Sequence, residues 1–203
     1  SAADVGCGTG GFLSYLLRYR VPLWGVDSSP SMLRIALRRL PRSRVRLLRQ
    51  DIRALRLPRA VDLIVCNGDT LNYLLTRDEL VLGLARCREN LTPCGSLVGD
   101  ILTGIPSPSV EGWRAAPSMP CVASMWRSEV DPSRRLTRVD IRYRLAGQHS
   151  GPWVQETHRQ RWYSIPELRL ALREAGLRNP ALWRLDRGEG EGAAAWVKFA
   201  AFR

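Results

Sequence analysis

A glycine-rich segment near the start of the chain constrains the fold most. Asp4-Val5-Gly6-Cys7-Gly8-Thr9-Gly10 joins a short apolar run to residues 12–17, whose apolar members are spaced as on one face of a helix. This order predicts a strand, a loop and a helix. Glycines in such a loop let the backbone approach a ligand and adopt torsion angles that a Cβ atom forbids, and the start of the helix favours a negatively charged group. The three glycines therefore predict a cofactor-binding loop.

The alternation of strand and helix continues along the first half of the chain. Periodicity predicts strands at residues 21–27, 44–51, 61–67 and 96–102, and helices at 31–40 and 77–90, with a break at 92–95. Strands that are apolar throughout lie inside a parallel sheet covered on both faces. The pattern predicts an α/β fold with a doubly wound, mostly parallel sheet.

The pattern changes after residue 102, where prolines and glycines become frequent. Residues 122–130, 137–145 and 153–163 predict a three-stranded antiparallel β meander, because 137–145 alternates apolar and polar residues. Ser164 predicts the N-cap of a helix that ends at Gly176, and two last strands at 181–186 and 193–202 complete a seven-stranded sheet. We expect three parts: 1–102, an insert at 103–163, and 164–203.

Acidic residues at strand ends narrow the kind of cofactor. The glycine pattern alone also fits the G-x-G-x-x-G loop of dinucleotide enzymes. Asp27 ends the second strand, where a carboxylate can accept hydrogen bonds from both hydroxyls of a ribose, in nicotinamide and adenosylmethionine sites alike. Asp4 inside the first motif and Asp51 at the end of the third strand separate the two classes.

In this order, Asp4 with its glycines, Asp27, Asp51-Ile52 and Asn67-Gly68-Asp69 resemble the motifs of class I S-adenosylmethionine-dependent methyltransferases. The resemblance implies a Rossmann-like fold and S-adenosyl-L-methionine as the cofactor. It implies that the loop from Gly6 holds the methionine part, Asp27 the ribose, and Asp51 with the Ile52 amide the adenine edge. The implied donor site comprises Asp4, Gly6, Cys7, Gly8, Gly10, Asp27, Ser28, Met32, Asp51, Ile52 and Asn67. For single residues a structural role stays open: Asp4 as a loop stabiliser, Asp51 as a turn former, Met32 as core.

The segment after the fourth strand supplies the candidates for the acceptor side. Ligands of open α/β sheets bind at the carboxyl ends of strands, which favours Asp69, Asn72 and Tyr73. His158 in the insert is a candidate general base or a structural histidine. The segment departs from the Asn/Asp-Pro-Pro-Tyr/Phe motif of enzymes that methylate planar nitrogens. It is similar to the small-molecule branch, including N-methyltransferases of amino sugars and glycine, whose meander covers the substrate.

The charge of the chain bears on its partners. The net charge of +12 favours anionic ligands, and Arg138, Arg142 and Arg144 on one face of the middle insert strand suggest an anionic acceptor. The basic residues are dispersed, so nucleic acid is an alternative partner that we do not favour. The sequence leaves the oligomeric state open.

Cysteine use and hydropathy indicate the compartment. Five scattered cysteines without a C-x-x-C spacing predict neither disulfides nor a metal site, and we expect them to be buried. No apolar run is long enough to span a bilayer, so we expect a cytoplasmic protein without membrane contact.

Such methyltransferases usually carry one or two helices before the first strand. We expect that this lid is missing from the sequence and that donor binding is weaker without it.

The leading interpretation is a methyltransferase that transfers a methyl group in line to a nitrogen or oxygen of a small molecule, by proximity and exclusion of water. The alternatives are an RNA or DNA methyltransferase, a catalytically silent binding protein with this fold, and a nicotinamide oxidoreductase.

Overall fold

A computed structural model describes residues 1–104, 109–115, 122–145, 152–185 and 196–203. Its strands are β1 (Ala2–Val5), β2 (Leu23–Asp27), β3 (Val45–Arg49), β4 (Val61–Cys66), β5 (Leu91–Leu102), β6 (Val110–Ala115), β7 (Val122–Asp131), β8 (Leu136–Leu145), β9 (Val154–Arg161), β10 (Arg178–Leu185) and β11 (Trp196–Phe202). Its α-helices are α1 (Gly11–Leu16), α2 (Pro30–Arg39), α3 (Arg77–Glu89) and α4 (Ile165–Glu174).

Seven strands form the large sheet, in the order β10-β11-β5-β4-β1-β2-β3. The first five strands pair in parallel, whereas β11 runs antiparallel to both β5 and β10. The predicted seven-stranded, mostly parallel sheet is confirmed. The predicted break at residues 92–95 is wrong, because β5 begins at Leu91 and the pairing with β4 shifts register there without interrupting the strand.

The hydrophobic core lies on both faces of this sheet. One face packs against α3 and α4, with Leu80, Leu84 and Leu168 fully buried, and the other packs against α1 and α2 around Leu13 and Ala36. Burial on two faces explains why the central strands are apolar throughout. The carboxyl ends of β1, β2 and β4 therefore meet at one edge, on a rigid support.

The helix starts follow from local sequence. Ser29 caps α2 ahead of Pro30, and capping boxes start α3 at Thr76 and α4 at Ser164, as expected for the latter. The expectation of buried cysteines is confirmed for Cys7, Cys66 and Cys87. It is wrong for Cys94, which is exposed in the part of β5 where the pairing with β4 shifts register, and Cys121 lies outside the described residues.

The insert after β5 is a four-stranded antiparallel sheet in the order β6-β7-β8-β9. The meander prediction holds for three strands and missed β6. Strand β6 lies in the proline-rich stretch and carries Gly112 at a φ of 73°, where its register with β7 shifts, so it shows no regular alternation. No helix of the described residues is long and apolar enough to cross a membrane.

Candidate functional site

The glycine-rich loop turns sharply between β1 and α1. Gly6, Gly8 and Gly10 have φ angles of 80°, 52° and 78°, in the left-handed region that favours glycine. A Cβ on Gly6 would lie 2.1 Å from the Thr70 hydroxyl oxygen, and one on Gly10 would lie 2.6 Å from the Leu40 side chain. These two glycines are thus required by the packing of the protein itself.

Gly8 differs from its neighbours because a Cβ there would meet nothing within 4 Å. Its amide donates to Asp27 Oδ2 at 2.8 Å, and the Ser29 amide donates to Asp27 Oδ1 at 2.8 Å. The two bonds fix the Asp27 carboxylate at the end of β2, with Ser28 exposed beside it. The tip of the loop therefore presents open backbone next to an oriented carboxylate.

Asp4 lies beneath this loop and is 2% exposed. Burial, reinforced by the charge of Asp27, raises its pKa to about 7. Its Oδ2 atom has no hydrogen-bond partner among the described residues. A buried carboxylate oxygen without a donor is costly, so a ligand with a positive charge or a hydrogen-bond donor would be stabilised at this point.

Cys7 is buried in the same loop. Burial, together with the charges of Asp4 and Asp27, raises the pKa of its thiol to about 12. The thiol is therefore neutral near pH 7 and unsuited to act as a nucleophile, because the thiolate is the reactive form. Its place in the site is a structural one against the loop backbone.

The carboxylate at the end of the third strand is already engaged. Asp51 caps a short 3₁₀ turn through the Arg53 amide at 2.8 Å and accepts Arg53 Nε at 2.9 Å and Nη2 at 2.7 Å. The hydrogen bonds from the Arg53 side chain hold the pKa of Asp51 below its usual value. Ile52 is 9% exposed, whereas Met32 at 38% is not a core residue. An adenine amino group would have to share Asp51 with Arg53.

The turn after β4 is fixed by a residue that sequence reasoning missed. The amides of Gly68 and Asp69 each donate to Asp100 at 3.1 Å, and the Asn67 carbonyl accepts the Thr70 hydroxyl at 2.8 Å. Asp100 lies near the end of β5, beside β4 in the sheet. An acid at the end of a neighbouring strand was the available signal for it.

Tyr73, on the 3₁₀ turn after β4, lies against His158 on β9 of the insert. The Tyr73 hydroxyl and His158 Nδ1 share a hydrogen bond of 2.8 Å. His158 Nε2 lies 3.6 Å from Glu156 Oε2, and Glu156 accepts the Tyr143 hydroxyl at 3.0 Å. Burial, and after it the nearby carboxylates of Asp69 and Glu156, raises the pKa of Tyr73. Two of the four predicted acceptor-side residues thus form one polar group where the insert meets the large sheet.

Asn72, next to Tyr73, has a structural place. Its side chain is fully buried, accepts the Leu102 amide at 3.0 Å, and donates to the carbonyls of Leu102 at 3.3 Å and Arg161 at 2.7 Å. One amide thus joins the turn after β4 to the ends of β5 and β9. It fixes the neighbouring Tyr73 relative to the insert.

The three arginines on one face of β8 make contacts within the insert. Arg138 contacts Asp140 at 3.2 Å, and Asp140, only 3% exposed, also accepts Arg127 at 2.9 Å. Arg142 lies 4.2 Å above the Trp113 ring, and Arg144 lies 4.6 Å above Trp153. The last two guanidinium groups are therefore oriented on aromatic faces.

Comparisons with known proteins agree with this architecture. The family described as "Methyltransferase domain" matches residues 2–95. A dTDP-3-amino-3,4,6-trideoxy-alpha-D-glucopyranose N,N-dimethyltransferase of Streptomyces venezuelae is 33% identical over 116 residues, 57% of this chain and 48% of the relative. A dTDP-3-amino-3,6-dideoxy-alpha-D-glucopyranose N,N-dimethyltransferase of Streptomyces fradiae is 28% identical over 180 residues, 87% of this chain and 69% of the relative. The matches thus span about half of the first relative and about two thirds of the second.

A solved structure extends the likeness to the whole described fold. An amino pentose methyltransferase from Micromonospora echinaspora, solved with S-adenosylmethionine bound, shares 26% identity and a TM-score of 0.72, covering 98% of this chain and 82% of that one. The strand-end acids, the glycine-rich loop and these matches define one class. Residues 2–95 match the methyltransferase-domain family, and the fold of the chain is that of the class I S-adenosylmethionine-dependent methyltransferases.

The residues at the strand ends fit this cofactor. The partnerless Asp4 oxygen suits the positive charge of a methionine ammonium, and the open space at Gly8 admits a ligand against the backbone. Asp27 keeps its orientation through two amides and retains lone pairs for a ribose. Among the described residues, no cluster of three His, Cys, Asp or Glu could hold a metal ion.

Proposed function

We propose that the protein transfers a methyl group from S-adenosylmethionine to the amine nitrogen of a small sugar-like acceptor. The observation that carries this proposal is the Tyr73–His158 hydrogen bond of 2.8 Å, which places two polar side chains where the insert meets the carboxyl edge of the large sheet. Both curated relatives are named as N,N-dimethyltransferases of nucleotide-linked amino sugars. The match to the second relative spans most of this chain.

On the donor side, Gly6, Gly8 and Asp4 hold the methionine part, and Asp27 holds the ribose. When bound, S-adenosylmethionine supplies an electrophilic methyl carbon, and the electron pair of its C–S bond stays on sulfur. Asp51, Ile52 and Met32 are proposed to bind the adenosine, with Asp51 shared between Arg53 and the base. The negative charge of the donor site supports a cationic ligand, because the carboxylates of Asp4 and Asp27 lie close together at the carboxyl ends of β1 and β2.

On the acceptor side, Tyr73 and His158 orient the amine of the acceptor. His158 accepts the proton that the amine nitrogen loses. A neutral amine attacks the methyl carbon through its lone pair, and the N–C bond forms as the C–S bond breaks. Most of the rate then comes from holding the nitrogen close and in line while the insert excludes water. Asp69, next to this pair at the end of β4, is proposed to bind a hydroxyl of the acceptor.

Two arginines on β8 support an anionic acceptor. Arg142 and Arg144 are oriented on aromatic rings, and guanidinium groups bind phosphate in a bidentate manner. We propose that they face the phosphates of a nucleotide-linked sugar, whereas Arg138 serves Asp140. Replacing both with glutamine is expected to raise KM for such an acceptor and to leave KM for the free amino sugar unchanged.

A transfer assay with labelled donor tests the proposal. A nucleotide-linked amino sugar is compared with the same sugar carrying a hydroxyl in place of the amine, and with RNA. We expect label in the amino sugar alone. Isothermal titration with S-adenosylhomocysteine separates the two halves of the proposal: no binding contradicts the donor site, and binding with transfer only to RNA or to the hydroxyl sugar contradicts the acceptor class.

A further inference from the structure

A cavity of about 750 Å³ lies at the opposite edge of the large sheet, where β2 and β3 begin. This volume lies within the range of small-molecule sites. Among the described residues its wall contains no acidic side chain. Besides Trp24 it holds five arginines: Arg20, Arg42, Arg44, Arg46 and Arg59.

The arginines of this cavity have no acidic partner among the residues that the structure describes. None of the five arginines forms an ion pair with any described residue. Arg44 donates to the Leu17 carbonyl at 3.3 Å, and Arg59 lies 4.9 Å above the Trp24 ring. These contacts orient two of the guanidinium groups without neutralising them. Like charges gathered in a concave site repel one another, and an anion relieves that repulsion.

Trp24 gives a second, independent observation. It is 4% exposed, and its indole Nε1 has no hydrogen-bond partner among the described residues. An indole N–H can only donate, so it needs an acceptor such as an anionic oxygen. Arg59, which covers the ring, is exposed at the surface and can move with an entering ligand.

We propose that this cavity, the arginine cleft, binds a small oligophosphate anion of the class formed by the diphosphate or triphosphate group of a nucleotide. Guanidinium groups match phosphate oxygens in geometry, and a concave site lined by one sign of charge concentrates the opposite charge. A continuous nucleic-acid surface would need basic residues along a ridge or groove, whereas these five surround one cavity of limited volume.

The arginine cleft is separate from the donor site. Leu23, the first residue of β2, lines the cleft, whereas Asp27, the last, lies at the donor loop. A strand of this length spans about 13 Å at roughly 3.3 Å per residue. Oligophosphate binding and donor binding are therefore measurable independently of each other.

Isothermal titration with pyrophosphate and with ADP tests the proposal. The double variant Arg46→Gln/Arg59→Gln is compared with Arg169→Gln/Arg173→Gln, which removes the same charge from exposed positions on α4. We expect the Kd for pyrophosphate to rise at least tenfold in the first variant and less than twofold in the second. Equal changes in both variants, or no saturable binding by the natural sequence, would overturn the proposal.

Two further measurements locate the ligand. Pyrophosphate is expected to change the tryptophan fluorescence of the natural sequence, and this change is expected to vanish in Trp24→Phe. A change that persists in that variant places the ligand elsewhere and overturns the proposal. Unchanged S-adenosylhomocysteine affinity in Arg46→Gln/Arg59→Gln shows that the variant is folded. If a short RNA duplex binds through these arginines while pyrophosphate does not saturate, the cleft belongs to a nucleic-acid surface and the oligophosphate proposal fails.

Discussion

At the scale of single residues, Asp4 couples the donor site to pH. Its pKa of about 7 in the folded protein lies above the ordinary value of 3.8, first because of burial and then because of Asp27. Between these two values the folded state binds a proton that the unfolded state has released. The stability of the free protein therefore decreases as the pH rises from about 4 to about 7, and the full cost is present above pH 7.

Asp4→Asn is expected to stabilise the free protein at pH 8. A shift of about three pKa units corresponds to about 4 kcal/mol of unfolding free energy at most, and most of it is recovered when the carboxyl is replaced by a neutral amide. Thermal unfolding at pH 8 and at pH 5 checks this: the gain in Tm is large at pH 8 and small at pH 5. Asp78→Asn removes a charge from an exposed position on α3 and serves as the control. A loss of Tm at pH 8 in Asp4→Asn would contradict the prediction.

Donor binding is expected to release a proton below pH 7. The ammonium group of S-adenosylhomocysteine favours the ionised form of Asp4, so its affinity rises as the pH rises from 5 to 7 and levels off above, at most about tenfold per pH unit. Titrations in two buffers of different ionisation enthalpy detect the released proton at pH 6 and none at pH 8. In Asp4→Asn the affinity is lower and loses this dependence; a variant that keeps it would show that another group titrates.

At the scale of elements, the loop between β1 and α1 separates two uses of glycine. Gly6 and Gly10 leave no room for a Cβ because protein side chains fill the space, whereas Gly8 faces open space. Gly112, in the insert strand β6, shares both properties of Gly8: a positive φ and no neighbour within 4 Å of a Cβ. The pair isolates the effect of a ligand from that of backbone strain.

Gly8→Ala and Gly112→Ala are expected to cost similar stability and to differ in donor binding. Each places a Cβ in the left-handed region, at a cost of about 1–2 kcal/mol. A methyl group at Gly8 also stands where the donor is proposed to bind, so we expect S-adenosylhomocysteine to bind at least about tenfold more weakly, whereas Gly112→Ala is expected to bind it unchanged. Denaturant unfolding and titration of both variants check this. Equal affinities would show that the donor does not contact Gly8.

How far the sequence predicts these elements depends on whether the information is local. The apolar strands 21–27 and 61–67 were predictable because burial on two faces leaves a visible pattern. Strand β6 was missed because Gly112 and a register shift remove its alternation. The roles of Asp100 and Asn72, and the pairing of Asp51 with Arg53, depend on contacts between residues that no periodicity marks. The strand-end acids were predictable as a set, whereas their partners were not.

Asn72 shows what such a hidden contact contributes. Asn72→Ala removes three hydrogen bonds, two of them buried, and leaves the Leu102 amide and the Arg161 carbonyl without this partner. We expect a loss of about 2–4 kcal/mol in unfolding free energy. Asn72→Asp keeps the bond to the amide but sets a carboxylate against two carbonyls, so its loss is expected to be larger at pH 7 than at pH 4. Urea unfolding at both pH values checks this, and a loss under 1 kcal/mol for Asn72→Ala would contradict the structural role.

At the scale of the whole molecule, the two edges of the large sheet carry opposite charge. Asp4, Asp27 and Asp100 lie at the carboxyl edge, whereas the arginine cleft lies at the amino edge. The net charge of +12 is therefore a property of the whole chain. The proposed site of the cationic donor is locally acidic. The basic composition favours an anionic partner. The fold places the arginine cleft at the opposite edge of the sheet from the donor site.

The insert meets the carboxyl edge of the large sheet at the hydrogen bond between His158 and Tyr73. If Tyr73 and His158 act together on the acceptor, Tyr73→Phe and His158→Gln each lower kcat/KM for the amino sugar by about tenfold, because each loosens the same hydrogen-bonded pair. The double variant then loses little more than either single one, with a coupling energy of about 1 kcal/mol. S-adenosylhomocysteine affinity is expected to be unchanged in all three, since the hydrogen bonds described for Tyr73 and His158 do not involve the glycine-rich loop. Additive losses would show that the two side chains act separately, and a parallel loss of donor affinity would show that the junction supports the donor site instead of the acceptor.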